Sequence, residues 1–317
     1  MVKYFYRIKR QFSMLLSIVM ILSSILVFSE YNTSKVYCET NDEKKTFKIL
    51  AVGNSLSFDT LFYVYDFAKE LGYEDVVVGN LYIGSCSIKR HWNNAKRNRG
   101  VYEYKKKYMD YSEKNNGKWE VSKGVSIEKG LLDEDWDYVM LSQYSADNGR
   151  IKSYKYLNKL VKYVKNRVGD NTKIIWNMIW AFQGDYNHER FAYYNYNQKT
   201  MYKKIVRATK KKVIKNVDIS TIIPSATVIQ NARNSKYGDH FTKDGRHLTR
   251  KGRYMTGLGL VCRLTGRKVT DIKYRPKKFS KKFRKLANKV IKNALDNPMK
   301  ITIIKRNKCL TYIYNEC

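Results

Sequence analysis

Three prolines in 317 residues leave no proline-marked linker inside the folded part of the chain. Cysteine is scarce as well. The five are Cys38, Cys86, Cys262, Cys309 and Cys317, too few and too scattered for a disulfide scaffold. None shows the paired spacing of a zinc site with a histidine nearby. Cys309 and Cys317 could staple no more than a terminal hairpin. Acidic residues are short too, 28 against 62 lysines and arginines, for a net charge of +34. In a cytosolic protein that excess would point to nucleic acid. Part of it also follows from the Lys-, Asn- and Tyr-rich composition typical of low-GC genomes. Long apolar runs are absent but for one, residues 12–28, which carries no charge and follows Lys3, Arg7, Lys9 and Arg10.

That basic-then-apolar order is the secretory pattern. A signal h-region spans about 7–15 residues and a membrane helix about 20, so the run lies between the two. Residues 1–38 are therefore expected to be a cleaved signal, with an uncleaved N-terminal anchor as the alternative. Tyr37 before Cys38 is too large for the usual lipoprotein site. Export turns the positive charge toward anionic envelope polymers or a membrane surface, and no nucleic-acid partner is expected. The basic C-terminal part, residues 267–317, is the expected contact region. Within it, residues 279–295 have helical apolar spacing and a basic opposite face, which also suits docking on the core. Residues 300–305 and 310–314 could pair as a hairpin.

After a polar linker at 39–46, apolar strand-like runs fall at 47–52, 76–81, 136–141, 173–179 and 217–223. Amphipathic helical stretches fall at 60–71, 126–132, 154–168 and 196–208, with a further helical run at 249–265. Strands alternating with helices predict a three-layer α/β/α sandwich around a central parallel sheet, flavodoxin-like in plan. Residues 102–125 interrupt the alternation. Asn115-Asn116-Gly117 between two alternating runs signals an inserted β-hairpin. In such sheets ligands bind beyond the carboxyl ends of the strands.

Two short blocks carry chemistry. Gly53-Asn54-Ser55-Leu56-Ser57 follows the first strand, where a turn into a helix exposes a hydroxyl and aims backbone N–H groups at a developing oxyanion. By itself the block also fits a plain helix cap. Asp244-Gly245-Arg246-His247 sets a carboxylate and an imidazole three apart, so that the acid can hold one ring nitrogen while the other stays free. A serine needs such a base to become a nucleophile. His91, His188 and His240 have no comparable company and read as packing or surface residues. A metal cluster of Asp239, His240, Asp244 and His247 matches no zinc spacing.

These blocks resemble the SGNH/GDSL hydrolase superfamily, and within it a branch of unknown function with Gly-Asn-Ser in the first block. The resemblance covers residues 47–266 and also rests on Gly84-Ser85-Cys86-Ser87, on Trp136-Asp137-Tyr138-Val139-Met140-Leu141-Ser142-Gln143, and on residues 224–233. It implies Ser55 as nucleophile, His247 as general base and acid, and Asp244 as its orienting partner. The implied oxyanion hole uses the Ser55 and Gly84 N–H groups. The superfamily's Gly-x-Asn-Asp block is missing, which leaves Gln143 as the side-chain donor. Trp180, Gln183, Gln230, Asn231 and Arg233 are candidate substrate contacts, and Cys86 reads as packing. The expected function is an exported serine esterase that deacetylates or otherwise deacylates a carbohydrate or envelope glycan without metal or cofactor. The alternative is a non-catalytic envelope-binding protein on the same fold.

Overall fold

A computed structural model describes residues 45–109 and 116–304. The expected leader and most of the linker, the tip of the hairpin, and the terminal segment with Cys309 and Cys317 lie outside the described residues. Among the described residues no helix is long and apolar enough to cross a membrane.

Seven strands form one sheet in the order β4-β3-β2-β1-β5-β6-β7. They are β1 (Thr46–Gly53), β2 (Asp75–Tyr82), β3 (Tyr102–Met109), β4 (Asn116–Val125), β5 (Tyr138–Leu141), β6 (Lys173–Asn177) and β7 (Ile219–Ile223). β1 sits between β2 and β5, parallel to both, and β6 and β7 continue the parallel set. Both faces of β1 are covered, and it reads accordingly as an almost unbroken apolar run. Phe47, Ile49 and Ala51 enter one core layer, while Leu50 and Val52 enter the other.

The central strands form the expected parallel set, and the inserted hairpin makes the sheet mixed. The inserted hairpin does not stand apart but joins the sheet edge. β3 runs antiparallel along β2, with Val78 opposite Lys107 and Tyr82 opposite Glu103, and β4 pairs antiparallel with β3. Tyr102 and Tyr104 are buried on the inner face of β3, which gives the hairpin an apolar reason to dock.

On one face lie α1 (Ser55–Leu61), α2 (Val64–Glu70), α7 (Ser225–Arg233), α8 (Arg250–Thr265) and α9 (Lys281–Asp296). On the other lie α3 (Ile88–Ala95), α4 (Ile127–Leu131), α5 (Leu157–Lys165) and α6 (Gln198–Ala208). The single helix expected over 60–71 is two, divided at Phe62 and Tyr63, and the first begins earlier because Asn54 caps it. α3 and α7 have no counterpart in the periodicity. Every residue of α7 is buried, so no polar face reveals a period. α9 turns Phe283, Ala287, Val290, Ile291 and Ala294 into the core, where Phe283 meets the Phe279 ring edge-on and the Tyr254 ring at a tilt. The basic C-terminal helix is thus packed as a core element.

Candidate active site

β1 delivers the chain to the sheet's carboxyl edge, at the point where its neighbours β2 and β5 lie on opposite sides. Such a switch point opens a crevice for ligands. Ser55 is the first residue of α1. Asn54 caps the helix by accepting from the Leu56 amide at 3.0 Å, and its own backbone N–H donates to Ser57 Oγ at 2.7 Å. Glycine is required at 53, since a Cβ there would lie 1.8 Å from Ser57 Oγ. The amide of Asn54 also donates to the Cys86 carbonyl at 3.2 Å. An ionised aspartate, which only accepts, could not make that bond. It ties the Ser55 turn to the loop after β2 that carries Gly84.

From the far end of the chain, residues 244–247 arrive as a tight loop closed by the Thr242–Leu248 bridge and by the Lys243 amide donating to the His247 carbonyl at 2.8 Å. Gly245 has φ +79°, and the Tyr186 ring occupies the space where a Cβ would sit. Asp244 Oδ2 lies 2.6 Å from His247 Nδ1, and His247 Nε2 lies 2.8 Å from Ser55 Oγ. Asp244 Oδ1 accepts from the amides of Arg246 at 3.2 Å and His247 at 2.8 Å. Partial burial works against the charged carboxylate, but the His247 ring and these two amides outweigh it and hold Asp244 below its ordinary value. An ionised carboxylate can only accept, so the imidazole proton belongs on Nδ1 and Nε2 is left to accept from Ser55 Oγ–H.

A second aspartate anchors the loop. Asp59, fully buried one turn beyond Ser55, accepts from the Leu248 amide through Oδ2 at 2.7 Å and from Arg253 Nε through Oδ1 at 2.7 Å. Burial raises its pKa, opposed by Arg253, by the Leu248 amide and by His247. The sequence reading missed Asp59; its i+4 spacing from Ser55 on α1 was the available signal.

Gly84 follows the end of β2, beside the end of β1. Its N–H and that of Ser55 have no acceptor among the described residues. Gln143 does not fit the role expected of it. It is wholly buried: Oε1 accepts from the Ile88 amide at 3.0 Å and the Tyr144 amide at 2.9 Å, and Nε2 donates to the Ser153 carbonyl at 3.1 Å and Ser153 Oγ at 3.0 Å. No donor is left for an oxyanion.

The five expected substrate contacts are also engaged elsewhere. Trp180 is buried and donates to the Arg246 carbonyl at 2.7 Å, and the Gln183 amide donates to the Gly245 carbonyl at 2.8 Å, so both brace the Asp244–His247 loop. Gln183 Oε1 accepts a short bond from Thr242. Gln230 is buried and donates to Gln198 at 3.0 Å, while Asn231 accepts from the Thr302 amide at 2.8 Å. Arg233 is buried against Asp239 at 2.6 Å and donates to the Ala181 carbonyl at 3.0 Å. Burial lowers its guanidinium to about 10, against the pull of Asp239. These three lie buried within α7. Tyr186 also packs on this loop at Gly245, and its ring lies 5.5 Å from that of His188. Burial pushes the Cys86 thiol up to about 12, as for a packing residue. His91 is buried against the Tyr102 hydroxyl at 2.9 Å, and burial lowers it to about 3. Among the described residues no group of three or more His, Cys, Asp or Glu is placed to hold a metal.

Residues 48–294 match the profile of a family described as a domain of unknown function, DUF4886. The crystal structure of a DUF4886 family protein from Bacteroides uniformis is similar over 81% of this chain and 97% of that one, at 38% identity and a TM-score of 0.76. A candidate SGNH hydrolase from Slackia heliotrinireducens is 16% identical over 67% of this chain and 96% of its own, with a TM-score of 0.42. An acetyl xylan esterase is 13% identical over 66% and 96%, with a TM-score of 0.39. Likeness at that level assigns no activity. No match is found among curated proteins.

Proposed function

The chain belongs to the DUF4886 family, and from the row Ser55, His247, Asp244 within the matched region we propose that it is a serine hydrolase of carboxylic esters. We further propose that it is exported and that it removes acetyl or other small acyl groups from a carbohydrate, for which the resemblance to SGNH hydrolases and the N-terminal charge pattern are the grounds. The observation that carries the chemistry is the pair of distances, 2.8 Å from Ser55 Oγ to His247 Nε2 and 2.6 Å from His247 Nδ1 to Asp244 Oδ2.

Ser55 Oγ attacks the ester carbonyl as its proton passes to His247 Nε2. Asp244 stabilises the imidazolium and fixes the ring. The tetrahedral oxyanion takes the two free backbone N–H groups of Ser55 and Gly84. As the C–O bond to the alcohol breaks, His247 protonates the leaving oxygen, and water then cleaves the acyl-enzyme by the reverse route. These steps call for no metal or organic cofactor.

Purified protein assayed on p-nitrophenyl acetate, acetylated xylan and acetylated peptidoglycan tests the reading. Ser55→Ala should lower kcat/KM by at least about a thousandfold with an unchanged melting temperature. Equal activity in that variant overturns the nucleophile assignment. A folded wild type that binds glycan in a salt-sensitive way but turns over nothing would install the non-catalytic reading.

A further inference from the structure

Away from the serine, a cavity of about 580 Å³ opens between the C-terminal end of α8 and the outer side of α9. Its cationic lining is Arg263, Arg267, Lys268, Lys289 and Lys292, and its sole carboxylate is Asp296. Lys292 pairs with Asp296 at 2.6 Å, which leaves the other four cations in excess. Lys268 and Lys289 are exposed and have no ion-pair partner among the described residues. The walls are not only cationic. Val269, Leu295 and Cys262 supply apolar surface. Beyond the rim, Lys281, Lys282 and Lys285 extend the positive surface along α9.

A soluble polyanion would be served by a flat cationic face. An apolar-walled cavity with a cationic rim fits a ligand that joins an anionic phosphate to a hydrocarbon part. We propose that this cavity seats the headgroup of an anionic phospholipid and so holds the α8–α9 face against a negatively charged membrane surface. The site is independent of the serine chemistry, and Ser55→Ala should bind lipid as the wild type does.

Sedimentation of the full chain with vesicles tests it, reading the increase in bound fraction from phosphatidylcholine to an equal mixture with phosphatidylglycerol. Lys3, Arg7, Lys9 and Arg10 are themselves drawn to phosphatidylglycerol, so every sample carries Lys3→Ala, Arg7→Ala, Lys9→Ala and Arg10→Ala, and the variants below are compared in that background. Lys268→Glu with Lys289→Glu should reduce the increase at least tenfold. Lys211→Glu with Lys212→Glu, the same charge change beside the core layer on the opposite face, should reduce it less than threefold. Thr270→Trp, which fills the cavity from an exposed lining position without altering charge, should also abolish the increase; the melting temperature of each variant checks its fold. Equal loss in the two charge variants would overturn the site in favour of diffuse attraction. Inorganic polyphosphate bound as tightly as the mixed vesicles, and unaffected by Thr270→Trp, would overturn the lipid in favour of a polymer.

Discussion

Asn54 and Gln143 both carry amides and Asp244 and Asp59 both carry carboxylates, and in each pair the roles differ because the partners differ. Asn54 spends its side chain on the helix start and on the Cys86 carbonyl, while Gln143 satisfies two amides and Ser153 from a fully buried position. Gln143→Ala should therefore act on stability: stranding buried N–H groups costs about 1–3 kcal/mol, readable by chemical denaturation. On the folded protein kcat/KM should fall less than about tenfold. A fall of about a hundredfold to a thousandfold, the size expected for a lost oxyanion donor, would return Gln143 to the reacting atoms. Asp244 is half exposed and holds the imidazole, whereas buried Asp59 holds the backbone that follows it.

At the scale of elements, the site is a meeting of two tight turns. The β1–α1 turn depends on Gly53, because Ser57 Oγ fills the space of a Cβ and at the same time caps the Asn54 amide. Gly53→Ala must displace that hydroxyl and the helix start with it. The expected cost is about 1–3 kcal/mol, with a larger proportional loss of the proposed turnover of p-nitrophenyl acetate than of stability; an unchanged melt and unchanged turnover would contradict this account of the turn. The Asp244–His247 turn is braced from three directions, by Trp180, by Gln183 and by Asp59 with Arg253. An imidazole on a loop held by so many bonds is already fixed in place beside Ser55.

Over the whole molecule, the sheet separates two core layers, and the site's parts come from one of them and from the sheet edge. α9 belongs to that layer. Its basic outer face contributes charge, while its inner face closes the core over α7 and α8. Phe283→Ala should lower stability by about 3–5 kcal/mol in a single cooperative transition. A biphasic unfolding curve, or no shift in the midpoint, would mean that α9 is a separable appendage.

Local pattern in the chain determined the strands of the parallel set and the inserted hairpin, and it singled out Ser55, Asp244 and His247 as candidates, because apolar runs, turn residues and short spacings express themselves without reference to distant atoms. Periodicity failed where tertiary burial erased it, as in α7, and where a hairpin could either stand free or extend the sheet. The fate of each polar side chain was decided only in three dimensions. Whether the amide of Gln143 is free depends on Ile88 and Ser153, and whether Arg233 can reach a ligand depends on Asp239 and Ala181. A hydrogen-bonding group has a few places to fill, and what fills them is set by folded neighbours rather than by the residues beside it in sequence. For the same reason the distance from Ser55 to His247, 192 positions away, could be read only from the fold.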